Sequence, residues 1–116
     1  MDTKIVLSNG SELMVNFLDL DFRELYIGES VKYSKAMNEI DLENDELEVL
    51  NTQYAYTKEF IDKVFGRGEF DRLMKGKRDL SIMLELIVAL TNTKIDTDIK
   101  LTEMSDKINF RHEYPA

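Results

Sequence analysis

KEFIDKVFGRGEFDRLMKGKRDLSIMLELIVALTN, residues 58–92, decides how the rest of the chain is read. It runs as an amphipathic helix, a glycine break, a short basic amphipathic piece, a second glycine break, and a helix apolar on almost every side. From Leu80 to Leu90, nine of eleven residues are apolar, with only Ser81 and Glu85 interrupting. Leu80, Met83, Leu84 and Ile87 lie along one side of that helix; Ile82, Leu86 and Leu90 lie along another. A helix with two apolar faces must cover both. Two readings follow. Either it is the central core helix, or one face meets a partner. Asp79 is placed to cap it.

Upstream, Leu47, Leu50, Tyr54, Thr57, Ile61 and Val64 recur at spacings of 3, 4, 3, 4 and 3. This predicts a helix over 45–65, capped by Asn44 or Asp45 and closed by Gly66 as a left-handed C-cap. Phe60 and Phe65 widen its apolar stripe. Phe70, Leu73 and Met74 predict a short helix over 69–75, ended by Gly76. A further helix over 29–41 would start from Ser30, carry Tyr33, Ala36, Met37 and Ile40, and break at residues 41–45. Residues 18–28 read two ways, as a strand prolonged through Leu20 and Phe22 or as a helical turn boxed by Asp21 and Glu24; in the strand reading Gly28 ends the segment.

The chain opens with TKIVLS and ELMVNFL flanking Asn9-Gly10, the residues of a type I′ hairpin turn. Ile5 and Leu7 share one face there; Leu13, Val15 and Phe17 alternate with polar neighbours. A lone hairpin is marginal in water and must pack on something. The expected fold is therefore α+β and mainly α, an N-terminal β-hairpin packed on a small bundle of three to four helices. A single domain over 1–92 would hold the hairpin 3–18 and helices near 29–41, 45–65, 69–75 and 79–92. Residues 93–116, where Ile95, Ile99, Leu101 and Met104 recur loosely, form a C-terminal extension, docked or mobile.

The chain has 116 residues, 43% apolar and 33% charged, the balance of one globular domain. A net charge of −8 repels phosphate backbones, so nucleic-acid partners are not expected. No stretch suits a membrane span or a secretory signal, and a cytoplasmic protein is expected. Cysteine is absent, which removes disulfides and thiol chemistry. One histidine, His112, stands alone near the end, so neither a zinc site nor a histidine-based triad is expected. Residues 41–45 have the carboxylate density of a calcium loop, but Glu46 stands where the loop needs glycine. Gly76-Lys77 fails as a phosphate loop, with Asp71 at the upstream glycine position and Arg78 for the Ser/Thr. Asn9-Gly-Ser11 is a formal glycosylation sequon, better read as a turn. No enzyme, metal or cofactor is expected. Charge is uneven, with five carboxylates over residues 41–48 and five cations against two carboxylates over residues 67–78. Both runs read as solvated surface, or as two ends of a head-to-tail contact within or between subunits.

Phe60-Ile-Asp-Lys-Val-Phe65-Gly66-Arg-Gly68, then a short helix ending Lys75-Gly76-Lys77, then Asp79-Leu80 opening a leucine-rich helix, resembles the tail assembly chaperones of long-tailed phages and prophages of Gram-positive hosts. The likeness covers about two thirds of the chain. Phe60, Asp62, Val64, Phe65, Gly66 and Gly68 match most firmly. Arg67 departs from the acidic residue frequent in that family, and Leu73-Met74 from a frequent aromatic. The resemblance implies a non-enzymatic protein that coats the tape measure protein, keeps its apolar segments from aggregating and helps recruit the tail tube protein. A homo-oligomer is compatible with it. An amphipathic helical client needs an apolar groove with adaptable side chains, which the methionines could supply. Phe60, Val64, Phe65, Leu73, Met74, Ile82 and Leu86 are the expected partner-binding surface, weighed against the plainer reading of each as core. The alternative function is an acidic interaction module, such as an inhibitor of a host protein or toxin, contacting its partner through residues 41–48.

Overall fold

The computed structural model describes residues 2–113, and the side chains of residues 2–108; the surroundings of His112 and the whole of Pro115 lie outside them. Two strands, β1 (Thr3–Val6) and β2 (Glu12–Val15), precede four helices, α1 (Leu20–Asn38), α2 (Glu46–Phe65), α3 (Glu69–Met74) and α4 (Leu80–Glu113). The fold is α+β and mainly α, as the periodicities predict.

The strands pair antiparallel with Thr3 opposite Val15 and Ile5 opposite Leu13. Period-two alternation sends Ile5, Leu7, Leu13, Val15 and Phe17 into the core and leaves Val6 and Met14 outside. The strands are shorter than the 3–18 span expected, and the turn is not type I′. Among residues 7–11 only Gly10 has positive φ, at 89°, and its N–H donates to Leu7 O at 2.9 Å. Leu7 N–H donates to Ser11 O at 2.8 Å, so glycine supplies the left-handed position of a bulged turn. Asn9 is left free to reach across to Leu73, donating to its carbonyl at 2.8 Å.

The ambiguity over residues 18–28 resolves to helix. Asp19, not Asp21, is the N-cap; its carboxylate accepts from Phe22 N at 3.1 Å. The helix then runs through Gly28 to Asn38, so the expected start at residue 29 and the Ser30 cap are corrected. Ser30 lies inside α1 and donates its hydroxyl to Ile27 O at 2.9 Å. Gly28 neither turns nor ends the chain.

Helix α2 follows the expected span. Asp45 is its N-cap but makes no side-chain bond there. Gly66 is the C-cap at φ 122° and ψ 151°, a glycine conformation but not the left-handed one expected. Thr57 keeps its place in the apolar period because its hydroxyl bonds Gln53 O and Tyr33 Oη, each at 2.8 Å. Phe22 meets Phe65, Tyr26 meets Phe60, and Tyr33 stacks on Phe60 with centroids 4.8 Å apart. Rising numbers in α1 match falling numbers in α2, so the two helices run antiparallel. Their connecting turn lies at the far end from Phe65.

Helix α4 differs most from expectation. It continues past residue 92 as one helix of 34 residues to Glu113, about 51 Å long. Its start is tied to the first half of α2, where Arg78 donates to Asn51 Oδ1 and lies over the Tyr54 ring. Further along, Asp98 accepts from Arg23 Nη1 at 2.7 Å, beside the C-terminal end of α2. The helix therefore runs parallel to α2 and carries on beyond its end. The dimensions agree: the molecule measures 65 × 33 × 21 Å, and its radius of gyration is 17.4 Å against roughly 13 Å for a compact chain of this size.

Candidate protein-binding surface

The motif expected to carry function is built as architecture. Asp62 Oδ1 accepts the Phe70 N–H at 3.0 Å, which caps α3 from the preceding helix. Gly66 and Gly68, at φ 122° and 86°, reverse the chain between α2 and α3. Lys75 is left-handed at φ 53° and Gly76 follows at 70°, closing α3.

Of the seven residues expected at a partner surface, six are buried: Phe60, Val64, Leu73, Met74, Ile82 and Leu86. Phe65 is half-buried against Phe22, with ring centroids 5.6 Å apart. Leu73, with no exposure at all, also offers its carbonyl to Ser11 Oγ and Asn9 Nδ2. The structure thus brings these residues together, but as one core cluster with the hairpin's inner face. They are not accessible to a partner in this conformation. The physical reason is cover from two sides: the hairpin lies on α3 and α4, and α1 lies on α2, with Tyr26 and Tyr33 against Phe60 and Phe22 against Phe65.

Glu85, which interrupts the apolar run, helps hold that cover in place. Its two carboxylate oxygens accept from Ser8 N and Ser8 Oγ, each at 2.7 Å. Arg72 Nη2 adds a bond to Glu12 O at 3.0 Å. Nothing in the spacing of Ser8 and Glu85, 77 residues apart, announces this pairing.

The apolar surface left uncovered lies elsewhere. On α4, Leu84, Val88, Ile95 and Ile99 are 59%, 55%, 49% and 53% exposed. Their spacings of 4, 7 and 4 place them in one line on the side opposite Leu86 and Leu90. The line runs about 22 Å along the helix. The other face of α1 carries a shorter counterpart, Leu20, Ile27 and Val31. Exposed apolar residues aligned along one helix face mark interaction surface more often than scattered ones do. The sequence pattern carries half of this: it puts Leu84 on one of the two apolar sides of the helix, whereas Ile95 and Ile99 fall in the C-terminal extension.

Charge is concentrated at two places. Arg23 is gripped by Asp98 and by Phe17 O, where its Nε donates at 2.8 Å. Lys94 donates to the other Asp98 oxygen at 2.8 Å. Hydrogen bonds from Lys94 and Arg23 hold the Asp98 carboxyl below its ordinary range. At the opposite end, residues 41–48 are all exposed and none forms an ion pair among the described residues.

Two depressions stand out among the described residues. One of about 200 Å³ lies between α1 and α2, walled by Tyr33, Phe60, and the paired Glu29–Lys32 and Glu59–Lys63. Another of about 460 Å³ lies beside the hairpin turn and the α3–α4 connection. In the second, Ser81 Oγ donates to Asp79 Oδ1 at 2.6 Å at the start of α4, with Lys75 and Lys77 also in the lining. Among the described residues no three His, Cys, Asp or Glu side chains cluster to hold a metal ion. No described helix is long and apolar enough to cross a membrane.

Hairpin, antiparallel helix pair and one overlong helix define a small, mainly helical domain with uncovered apolar faces. The chain belongs to a family of unknown function, DUF6673, whose model matches residues 9–114. That span takes in the whole of α4, projecting part included. No curated protein and no solved structure matches the chain.

Proposed function

We propose that the protein is a non-enzymatic tail assembly chaperone of a phage or prophage, acting in the host cytoplasm. It binds amphipathic helical segments of the tape measure protein and assists assembly of the tail tube around them. The observation that supports this reading is the line Leu84, Val88, Ile95 and Ile99 on α4. Anchors at helical spacing suit a helix laid alongside another helix. The motif residues Phe60, Asp62, Val64, Gly66 and Gly68 enter the reading as the frame that holds α4, not as contacts. Co-expression with the tape measure protein of the same genome tests it. The expected result is a soluble client that co-purifies with the chain and captures tail tube protein. A client that stays insoluble, with no complex formed, overturns it.

A second reading, an acidic interaction module, is favoured by the exposure of every residue over 41–48 and by the lack of ion pairs there among the described residues. Neutralising Asp41, Glu43, Asp45, Glu46 and Glu48 distinguishes the two. Loss of partner binding supports the acidic module; unchanged client capture supports the chaperone.

A further inference from the structure

The two ends of the long axis are chemically unlike. At one end, the turn between α1 and α2 carries Glu39, Asp41, Glu43, Asp45, Glu46 and Glu48 with no cation among residues 39–48. It also exposes two leucines, Leu42 at 74% and Leu47 at 67%. At the other end, α4 projects past Asp98. The face that buries Leu86 and Leu90 continues there as Thr97, Leu101, Met104 and Ile108, at spacings of 4, 3 and 4. Met104 and Ile108 are 53% and 51% exposed, and Leu101 is half-buried. Beyond the Asp98 pairing, Lys100 and Lys107 border this face, while Glu103 and Asp106 fall on the opposite half of the helix. Neither lysine has a carboxylate partner among the described residues.

A projecting helix of about fifteen residues is marginal in water without tertiary support. Its support cannot come from the acidic turn of its own chain, because α4 runs parallel to α2 and the turn precedes α2 at the far end. We propose that the last third of α4 docks, along Leu101, Met104 and Ile108, onto the acidic α1–α2 turn of a second copy. The chain then self-associates head to tail. Leu42 and Leu47 meet the apolar line, and the carboxylates meet Lys100 and Lys107. Each copy keeps one free turn and one free tail, so the association is open-ended unless its rotation closes a ring. Five apolar side chains and two lysines make a small contact, which belongs among weak associations. Partly exposed charge pairs make it salt-sensitive.

Sedimentation velocity on the full chain, over rising concentration at low and high salt, tests this without any client. The expected mass rises with concentration at low salt, and the apparent association weakens roughly tenfold or more in molar salt. Met104→Glu with Ile108→Glu removes the tail contact; Leu42→Lys with Glu46→Lys removes the turn contact. All four positions are exposed, so melting should not change, and each variant alone should be monomeric. Mixed in equal amounts, the two variants should form a 1:1 dimer and nothing larger, since one keeps its turn and the other its tail. A chain that stays monomeric to about millimolar concentration overturns the proposal. So does association that survives either variant, or a mixture that does not dimerise.

Discussion

The two parts of α4 form one unbroken helix with one apolar line, yet they have different fates. Up to Leu90 that line is core, with Leu86 and Leu90 wholly buried. Past Asp98 its continuation, Met104 and Ile108, is half in water. What changes is the neighbour, not the helix. The hairpin, α2 and α3 cover the first part; none of them reaches the second. An apolar line at helical spacing therefore states that a face wants cover, and the rest of the fold decides whether the chain supplies it.

The widest separation between the two parts should come from truncating the same line on either side of Asp98. Leu86→Ala leaves a cavity in a fully enclosed site and should cost about 2–5 kcal/mol. Ile108→Ala should change the stability of the monomer by no more than about 0.5 kcal/mol. Chemical denaturation of both variants at low concentration checks the pair. Equal losses would show that the projecting part folds back onto the body.

The boundary itself is tested by its ionic grip. Arg23→Ala removes the bonds to Asp98 and Phe17 O, and should loosen α4 from about Lys94 onward at a cost on the order of 1 kcal/mol. Hydrogen exchange should accelerate over residues 94–105 and stay unchanged over residues 82–90. Acid should act the same way. The folded Asp98 carboxyl sits below its ordinary range, so the grip is intact above the unfolded carboxylate pKa and is lost as pH falls through the folded value. Exchange over residues 94–105 should therefore rise selectively at low pH, after correction for the intrinsic rate.

The body alone carries an alkaline limit. Burial, with Tyr33 nearby, pushes the Tyr26 phenol up to about 12 from 10.0. Folding then favours the protonated phenol. Its contribution is complete below pH 10 and is lost as pH rises toward 12. Melting temperature should fall over that interval, and Tyr26→Phe should flatten the slope.

The smallest expected effect is a gain. Gly28 lies in mid-helix, with nothing within 4 Å of an added Cβ. Gly28→Ala should stabilise α1 by about 0.5–1 kcal/mol without altering either part of α4, as thermal melting would show.

These particulars also explain what was legible beforehand. The hairpin faces and the spans of α2 and α3 follow from period-two and period-3.6 patterning, and the structure keeps them. The start of α1 was obscured because Phe22 and Tyr26 suit a strand as well as a helix, and because Gly28 resembles a stop. The length of α4 was obscured by Thr91, Thr93 and Thr97. Each breaks the apolar pattern, yet each satisfies its hydroxyl on the carbonyl four residues back and leaves the helix intact. The burial of the residues expected at a partner surface is hidden in the sequence for a simpler reason. Phe60, Leu73, Met74 and Leu86 have the composition and spacing of a docking groove, and a core has the same. The positions of the hairpin, pinned through Ser8–Glu85 and Ser11–Leu73, and of α1, whose Tyr26 and Tyr33 cover Phe60, separate the two cases.

The proposed function puts a helical client on the outer line of α4, and a double variant with Val88→Glu and Ile95→Glu addresses that face while sparing the core. Capture of co-expressed tape measure protein should fall at least tenfold in this variant, with the melting temperature unchanged. Undiminished capture by the double variant would contradict the account.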